Sequence, residues 1–222
     1  MPKVHLLGLS HGAFVAAYHA LYRLTNWRES CCTRAPPSPA PEHSAEAGRM
    51  VEAFAAKHAG CPGLPEVMAA IGVVGGMSAD EQTKAVARGV LPWYFADYWG
   101  DEERLAPFRD AVRAPYIWGL YEDFTPDAVD DRTGLKELAV PALVVVGRHD
   151  VICGMRWGLE LDELIPDSRL LVLENSGHMG HLEEPETFAD GVRGFVLGTT
   201  NPRNGAVQDG TTARDVRRHR RG

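Results

Sequence analysis

The chain has 222 residues, of which 45% are hydrophobic and 24% charged, and its formal net charge is −7 at pH 7. This composition is typical of a globular domain, and the acidic balance argues against a nucleic-acid-binding protein. No run of about 18 apolar residues predicts a membrane span, and the four cysteines form no disulfide framework, so we expect a cytoplasmic protein.

The first predicted element is a short strand that ends in a sharp turn. The apolar run Val4–Leu7 precedes Gly8–Gly12, which reads GLSHG, and a helical pattern follows over Ala13–Leu21. In a Gly-x-Ser-x-Gly motif the glycines let the chain turn tightly between strand and helix, which leaves the serine hydroxyl exposed. The sequence therefore predicts a nucleophile at Ser10.

Residues 43–135 predict a helical insertion. A periodic run from Ser44 ends at Gly60, Pro65–Val74 predicts a second helix, and a capping box at Ser78–Glu81 opens a third. Aromatic side chains are frequent here, and some of them, with nearby carboxylates, could line a substrate pocket. The substrate-binding candidates are Trp99, Tyr121 and Glu122.

Two later strands carry the other catalytic candidates. The apolar run Ala142–Val146 leads to Asp150, and Leu170–Leu173 leads to His178. A serine hydroxyl needs an imidazole to take its proton, and a carboxylate must orient that imidazole and stabilise its charged form. The chain order and the position of each residue after a strand predict a triad of Ser10, Asp150 and His178.

Other histidines lie near the predicted strand ends, and other acidic residues lie in a charged segment that no strand precedes. His178 is favoured as the base because Gly177 predicts a sharp loop directly after a strand, and Asp150 is favoured because a strand precedes it. The acids of Glu183–Glu186 are expected to favour the start of a helix that a proline opens. The alternatives are His5, His11, His149 and His181 for the base, and Asp127, Asp130 and Asp131 for the acid.

The stretches Val140–Val196 and His5–Leu21 resemble α/β-hydrolases, and in particular the proline iminopeptidase branch. The resemblance implies an α/β fold in which a parallel sheet with flanking helices carries a helical cap. It also implies Ser-His-Asp acyl transfer to water without cofactor or metal, with the His11 backbone amide in the oxyanion hole. The implied substrate is a small molecule or a short peptide that loses its N-terminal residue. Carboxylesterases and C–C bond hydrolases share these motifs and remain alternatives.

The beginning of the chain departs from this family. Nine residues precede Ser10, whereas the family places several strands and the loop with the second oxyanion donor there. We therefore expect an N-terminally truncated, incomplete α/β-hydrolase fold. Loss of one oxyanion donor lowers turnover by about 10²–10³, so an inactive fragment or pseudoenzyme is the alternative from another class of function.

A second departure lies at Asn26–Pro39, which reads NWRESCCTRAPPSP where the family has a buried strand. Such a charged, proline-rich segment predicts no core strand. One set of allowed codons, started at the third base, encodes LAGVVLYESAPVT, which is an apolar strand with its loop. We therefore hypothesise a local shift of reading frame, which the nucleotide sequence of the gene tests.

Four segments follow from these patterns. Residues 1–42 hold the nucleophile strand, turn and helix with the frame-shift candidate, residues 43–135 the cap, and residues 136–198 the C-terminal part of the core. Residues 199–222 predict a disordered basic tail that ends in Arg217–Arg221. On an acidic body we expect this short cluster to be solvated rather than to bind nucleic acid or a membrane.

Overall fold

A four-stranded parallel sheet organises the chain. The computed structural model describes residues 5–22, 30–33, 41–71, 89–112 and 130–198. The strands pair in the order β1-β2-β3-β4, and every pairing is parallel, so their carboxyl ends lie at one edge. This arrangement confirms the expected α/β class. The strands are β1 Leu7–Gly8, β2 Ser30–Thr33, β3 Ala142–Gly147 and β4 Ser168–Leu173.

Helices connect these strands and form the region between β2 and β3. A short 3₁₀ turn, Leu91–Tyr94, lies between the third and fourth helix. Within the described ranges no helix is both long and apolar enough to cross a bilayer. The helices are α1 His11–Tyr22, α2 Pro41–Lys57, α3 Leu64–Ile71, α4 Glu102–Ala111, α5 Arg132–Leu135, α6 Met155–Leu164, α7 Gly180–Glu183 and α8 Pro185–Val196.

β3 forms the centre of the core because both of its faces are covered. All six of its residues are buried, as expected for an apolar strand inside a parallel sheet. Val144 packs on one face with Leu161 of α6, and Val145 packs on the other face near Phe188 of α8. The loop between β3 and α6, which carries Asp150 and is called the acid loop below, therefore starts from a rigid strand.

β2 corrects one expectation from the sequence. Ser30–Thr33 pairs with β1 on one side and β3 on the other, with Cys31 opposite both Leu7 and Leu143. The expectation that no core strand forms here is wrong for these residues, because paired backbone N–H and C=O groups hold a strand whatever its side chains. Residues 26–29 and 34–39 of the frame-shift candidate lie outside the described residues.

The observed elements differ from the predicted ones mainly at their ends. β1 begins at Leu7 rather than Val4, and α2 begins at Pro41, since proline suits the first turn of a helix. The helix predicted from Ser78 falls largely outside the described residues, and the tail from residue 199 lies outside them entirely.

Close packing of α6 on β3 gives a test of the core. A Cβ atom at Gly158 would lie 2.9 Å from Val146 Cγ1 and 3.1 Å from Val146 Cβ. We expect Gly158→Ala to lower the free energy of unfolding by about 1–3 kcal/mol, because α6 must move away from the sheet. Gly48→Ala on α2 is the control, since a Cβ there meets open space, and it should raise that free energy by about 0.5–1 kcal/mol. Equal effects of the two variants in urea unfolding would contradict this packing.

Candidate active site

Ser10 lies in a tight turn between β1 and α1. Its φ angle is 54°, in the left-handed region that non-glycine residues rarely adopt. A Cβ atom at Gly8 would collide with the backbone oxygen of Gly12, so the first glycine of the motif is required. A Cβ at Gly12 would meet no described heavy atom within 4 Å outside the backbone of its own helix, so the described contacts require glycine at Gly8. The strained residue is the serine itself.

His11 is the first residue of α1, directly after Ser10. The N–H groups of a helix's first turn have no carbonyl partner within the helix, and the helix dipole favours negative charge beside them. The His11 amide thus stands next to the serine, as an oxyanion donor must.

Asp150 and His178 form a buried pair. His178 Nδ1 lies 3.1 Å from Asp150 Oδ2 and 3.3 Å from Oδ1, and the two residues are 1% and 2% exposed. Asp150 Oδ1 also accepts the backbone N–H groups of Ile152, at 2.8 Å, and Cys153, at 3.0 Å. A carboxylate held in this way orients the imidazole and leaves Nε2 as the position that exchanges a proton.

The sheet places all three residues of the predicted triad at one edge. Asp150 follows β3, His178 follows β4, and Ser10 follows β1, each at the carboxyl end of its strand. The structure brings Asp150 and His178 into direct contact. Because Ser10 stands at the same edge, the three residue types needed for acyl transfer share one end of the fold.

The alternative acids and bases have other surroundings. Asp131 is buried and accepts a hydrogen bond from the Tyr22 hydroxyl at 3.2 Å. The ring of His181 packs on Phe188, with ring centroids 6.0 Å apart. Asp127 lies outside the described residues.

Residues Tyr94–Ala96, hereafter the strap, run against the loop that carries His178. The backbone N–H groups of His178 and Met179 both donate to the Tyr94 carbonyl, at 2.8 and 3.1 Å. The Tyr94 ring also stands edge-on to the His178 ring, 5.5 Å between centroids, and burial raises the pKa of its phenol. A Cβ at Gly177 would lie 2.7 Å from the Phe95 carbonyl carbon, so only glycine permits this approach.

Glu183 joins the strap to the histidine loop, a role that the sequence analysis missed. One carboxylate oxygen accepts the Ala96 N–H and the other accepts the Gly177 N–H, both at 2.7 Å. Glu184 likewise accepts the Asn175 N–H and makes no side-chain cap at the start of α8. Glu184 occupies the N-cap position of α8 as expected but makes no capping hydrogen bond there, and Glu186 lies in the first turn of α8 as expected. The contact of Glu183 with Ala96 joins residues 87 positions apart, so a local motif does not reveal it.

Of the predicted substrate-binding residues, the structure describes Trp99 alone, and it lines a different cavity from the one beside Asp150. Trp99 packs near His58 and Phe54, with ring centroids 5.1 and 6.1 Å apart, and lines a separate cavity between α3 and α4. Tyr121 and Glu122 lie outside the described residues. A cavity of about 280 Å³ instead lies beside Asp150, between α2, the strap and the acid loop.

Residues 1–191 match the family described as the alpha/beta hydrolase family. The chain belongs to this family. Among solved structures, an alpha/beta fold family hydrolase from Bacillus anthracis str. Sterne has a TM-score of 0.62 at 22% identity, over 87% of this chain and 67% of that one. The enol-lactonase from Burkholderia xenovorans LB400 gives a TM-score of 0.61 at 21% identity, over 88% and 66%. The α/β-hydrolase fold is thereby confirmed.

Curated relatives match shorter segments. A pimeloyl-[acyl-carrier protein] methyl ester esterase of Neisseria meningitidis is 34% identical over 84 residues, which are 38% of this chain and 27% of that protein. A carboxylesterase of Bacillus subtilis is 28% identical over 102 residues, 45% of this chain and 30% of that one. These relatives are esterases, so the resemblance to the proline iminopeptidase branch is not supported, and the carboxylesterase alternative is the one they match.

The bridging position of Glu183 predicts the effect of removing its charge. In Glu183→Gln one side-chain oxygen is replaced by an NH₂ group, which faces a backbone N–H and cannot accept its hydrogen bond. We expect the free energy of unfolding to fall by about 1–3 kcal/mol and the Ala96 and Gly177 amides to exchange hydrogen faster. Glu186→Gln, at an exposed acid of α8, is the control. A Glu183 variant that behaves like the control in urea unfolding and NMR hydrogen exchange would contradict the bridge.

Two histidines beside the cavity predict a loss of stability in acid. Burial, and then the Lys57 charge, lower the pKa of His58, and burial, Lys57 and Arg148 lower that of His149. With lowered pKa values, these two histidines bind protons more readily in the unfolded chain than in the folded one. The neutral histidines therefore contribute stability above about pH 6.5, and this contribution is lost as the pH falls through their folded pKa values. We expect His58→Gln to reduce the loss of unfolding free energy between about pH 7.5 and 5.5 in urea titrations. His19→Gln, on the exposed side of α1, should leave that loss unchanged.

Proposed function

We propose that this chain acts as a serine esterase, which transfers the acyl group of a carboxylic ester to Ser10 and then to water. The observation that carries the proposal is the buried contact between Asp150 and His178, 3.1 Å long, at the sheet edge where the strained Ser10 turn also lies. A buried carboxylate facing an imidazole supports general-base catalysis, and a strained turn presents a hydroxyl for attack.

The proposed reaction has two halves. His178 Nε2 takes the proton of Ser10 Oγ as that oxygen attacks the ester carbonyl, and the His11 amide donates to the oxyanion that forms. The protonated imidazole then gives its proton to the departing alcohol, which leaves an acyl-serine. Water attacks this acyl group in the same way and releases the carboxylic acid, and Asp150 stabilises the charged imidazole in both halves.

Esters are preferred over N-terminal peptides as the proposed substrates. The curated relatives described above are esterases, and the described surroundings of the buried pair favour anions over ammonium groups. Lys57 lines the cavity beside Asp150 and its charge repels the free amine of a peptide, whereas Arg148 and Arg156 there are paired with Glu174 and Glu46. An iminopeptidase needs the opposite charge at that position.

A fluorophosphonate probe tests the nucleophile. We expect the wild-type chain to be labelled at Ser10 and to hydrolyse p-nitrophenyl butyrate in preference to proline naphthylamide. Ser10→Ala should abolish labelling and reduce ester turnover by about 10⁴-fold or more, because the attacking oxygen is lost. Thr133→Ala, at an exposed position of α5, serves as the control. Equal labelling of the Ser10 variant would refute the assignment, and faster turnover of the naphthylamide would favour a peptidase.

A further inference from the structure

The side chain of Tyr94 packs directly against the imidazole of the buried pair. The centroids of the Tyr94 and His178 rings are 5.5 Å apart, and the two ring planes are inclined by 62°. The Tyr94 side chain also packs on the apolar cluster of the strap and α4, which includes Leu91, Phe95 and Leu105. Packing that does not involve the imidazole therefore holds this ring in place.

The phenol of Tyr94 lies near the acid loop. Burial, and then the Cys153 thiol, raise the pKa of this phenol, so the thiol is close enough to act on it electrostatically. The backbone N–H of Cys153 donates to Asp150 Oδ1 at 3.0 Å. Tyr94 thus stands beside both halves of the pair, with its ring on the imidazole and its phenol near the segment that holds the carboxylate.

The pair is more deeply buried than the tyrosine that covers it. His178 and Asp150 are 1% and 2% exposed, whereas Tyr94 is half-buried. A half-buried ring that contacts a fully buried imidazole separates it from solvent on the side of the strap. Water there would compete for the hydrogen bond between imidazole and carboxylate, and it would weaken the attraction between the carboxylate and the charged imidazole.

We propose that Tyr94 is a positioning residue, whose ring shields the hydrogen bond between Asp150 and His178 from water and fixes the plane of the imidazole. The ring carries this role rather than the hydroxyl, because the ring makes the contact with His178. An imidazole fixed in this way keeps Nε2 available to the serine in both halves of the reaction. The effect on rate rests on the proposed esterase function, whereas the shield is a property of the folded chain.

The first experiment observes the proton on His178 Nδ1 by NMR. A proton in a buried hydrogen bond to a carboxylate gives a low-field resonance only while its exchange with water is slow. We expect this resonance, assigned by its absence in His178→Gln, in the wild-type chain and in Tyr94→Phe, and its loss through exchange in Tyr94→Ala. Phe108→Ala removes another half-buried ring of the same apolar cluster, and as the matched control it should keep the resonance.

Three results of this experiment would overturn the shield. They are a resonance that persists in Tyr94→Ala, an equal loss in Phe108→Ala, and the absence of the resonance from the wild-type chain. Urea unfolding of each variant shows that it is folded under the conditions of measurement. If Tyr94→Ala does not fold, Tyr94→Leu takes its place, because leucine keeps apolar bulk but lacks the planar ring, and the same direction of change is expected.

The second experiment measures the hydrolysis of p-nitrophenyl butyrate. Tyr94→Ala should lower kcat by about 10- to 100-fold, the loss expected when a catalytic group is misplaced, and should leave KM nearly unchanged. Tyr94→Phe and Phe108→Ala should keep most of the wild-type kcat. A loss in Tyr94→Phe as large as that in Tyr94→Ala would assign the role to the hydroxyl and overturn the proposal, as would a change confined to KM.

The two experiments separate the shield from the esterase function. A resonance that depends on Tyr94, in a chain that hydrolyses no ester, would retain the shield and refute the esterase function. Ester hydrolysis with the same kcat in the wild-type chain and in Tyr94→Ala would leave the esterase function standing and overturn the positioning role.

Discussion

The carbonyl oxygen of Tyr94 fixes the loop on which the catalytic pair depends. It accepts the N–H groups of both His178 and Met179, and Glu183 adds a carboxylate bridge between the strap and the same loop. Buried N–H groups without acceptors are costly, so this loop keeps its conformation only while the strap stays in place. The imidazole is therefore positioned by a part of the chain more than eighty residues before it.

The carboxylate of the pair is held in a different way. Asp150 accepts N–H groups from residues two and three positions further along its own loop, and that loop follows a strand buried on both faces. Its orientation is local, whereas that of His178 is set by tertiary contacts. The two meet because β3 and β4 are neighbours in register, with Gly147 opposite Leu173.

These differences explain how far the sequence predicts the structure. The strands β3 and β4 were predictable, and so were Asp150 and His178 in the loops that follow them. Apolar, β-branched runs followed by polar turns produce buried parallel strands with reactive residues at their carboxyl ends. The strand β2 was not predictable from its own residues, because its hydrogen-bonded pairing with β1 and β3 makes it a strand. The role of Glu183 was not predictable either, because the two N–H groups that donate to its carboxylate lie on segments that no local sequence pattern connects. Trp99 was predicted to contact the substrate, but it packs against other apolar side chains, which is the more frequent role of an aromatic residue between helices.

The strap has one more consequence, which concerns the route by which substrate arrives. Lys57 on α2, the strap and α7 form a continuous chain of hydrogen bonds that ends at the base loop. An outward movement of this part of the helical region would break these hydrogen bonds, and the imidazole of His178 would lose the contacts that position it. Substrate must therefore reach the imidazole without displacing the strap from this loop.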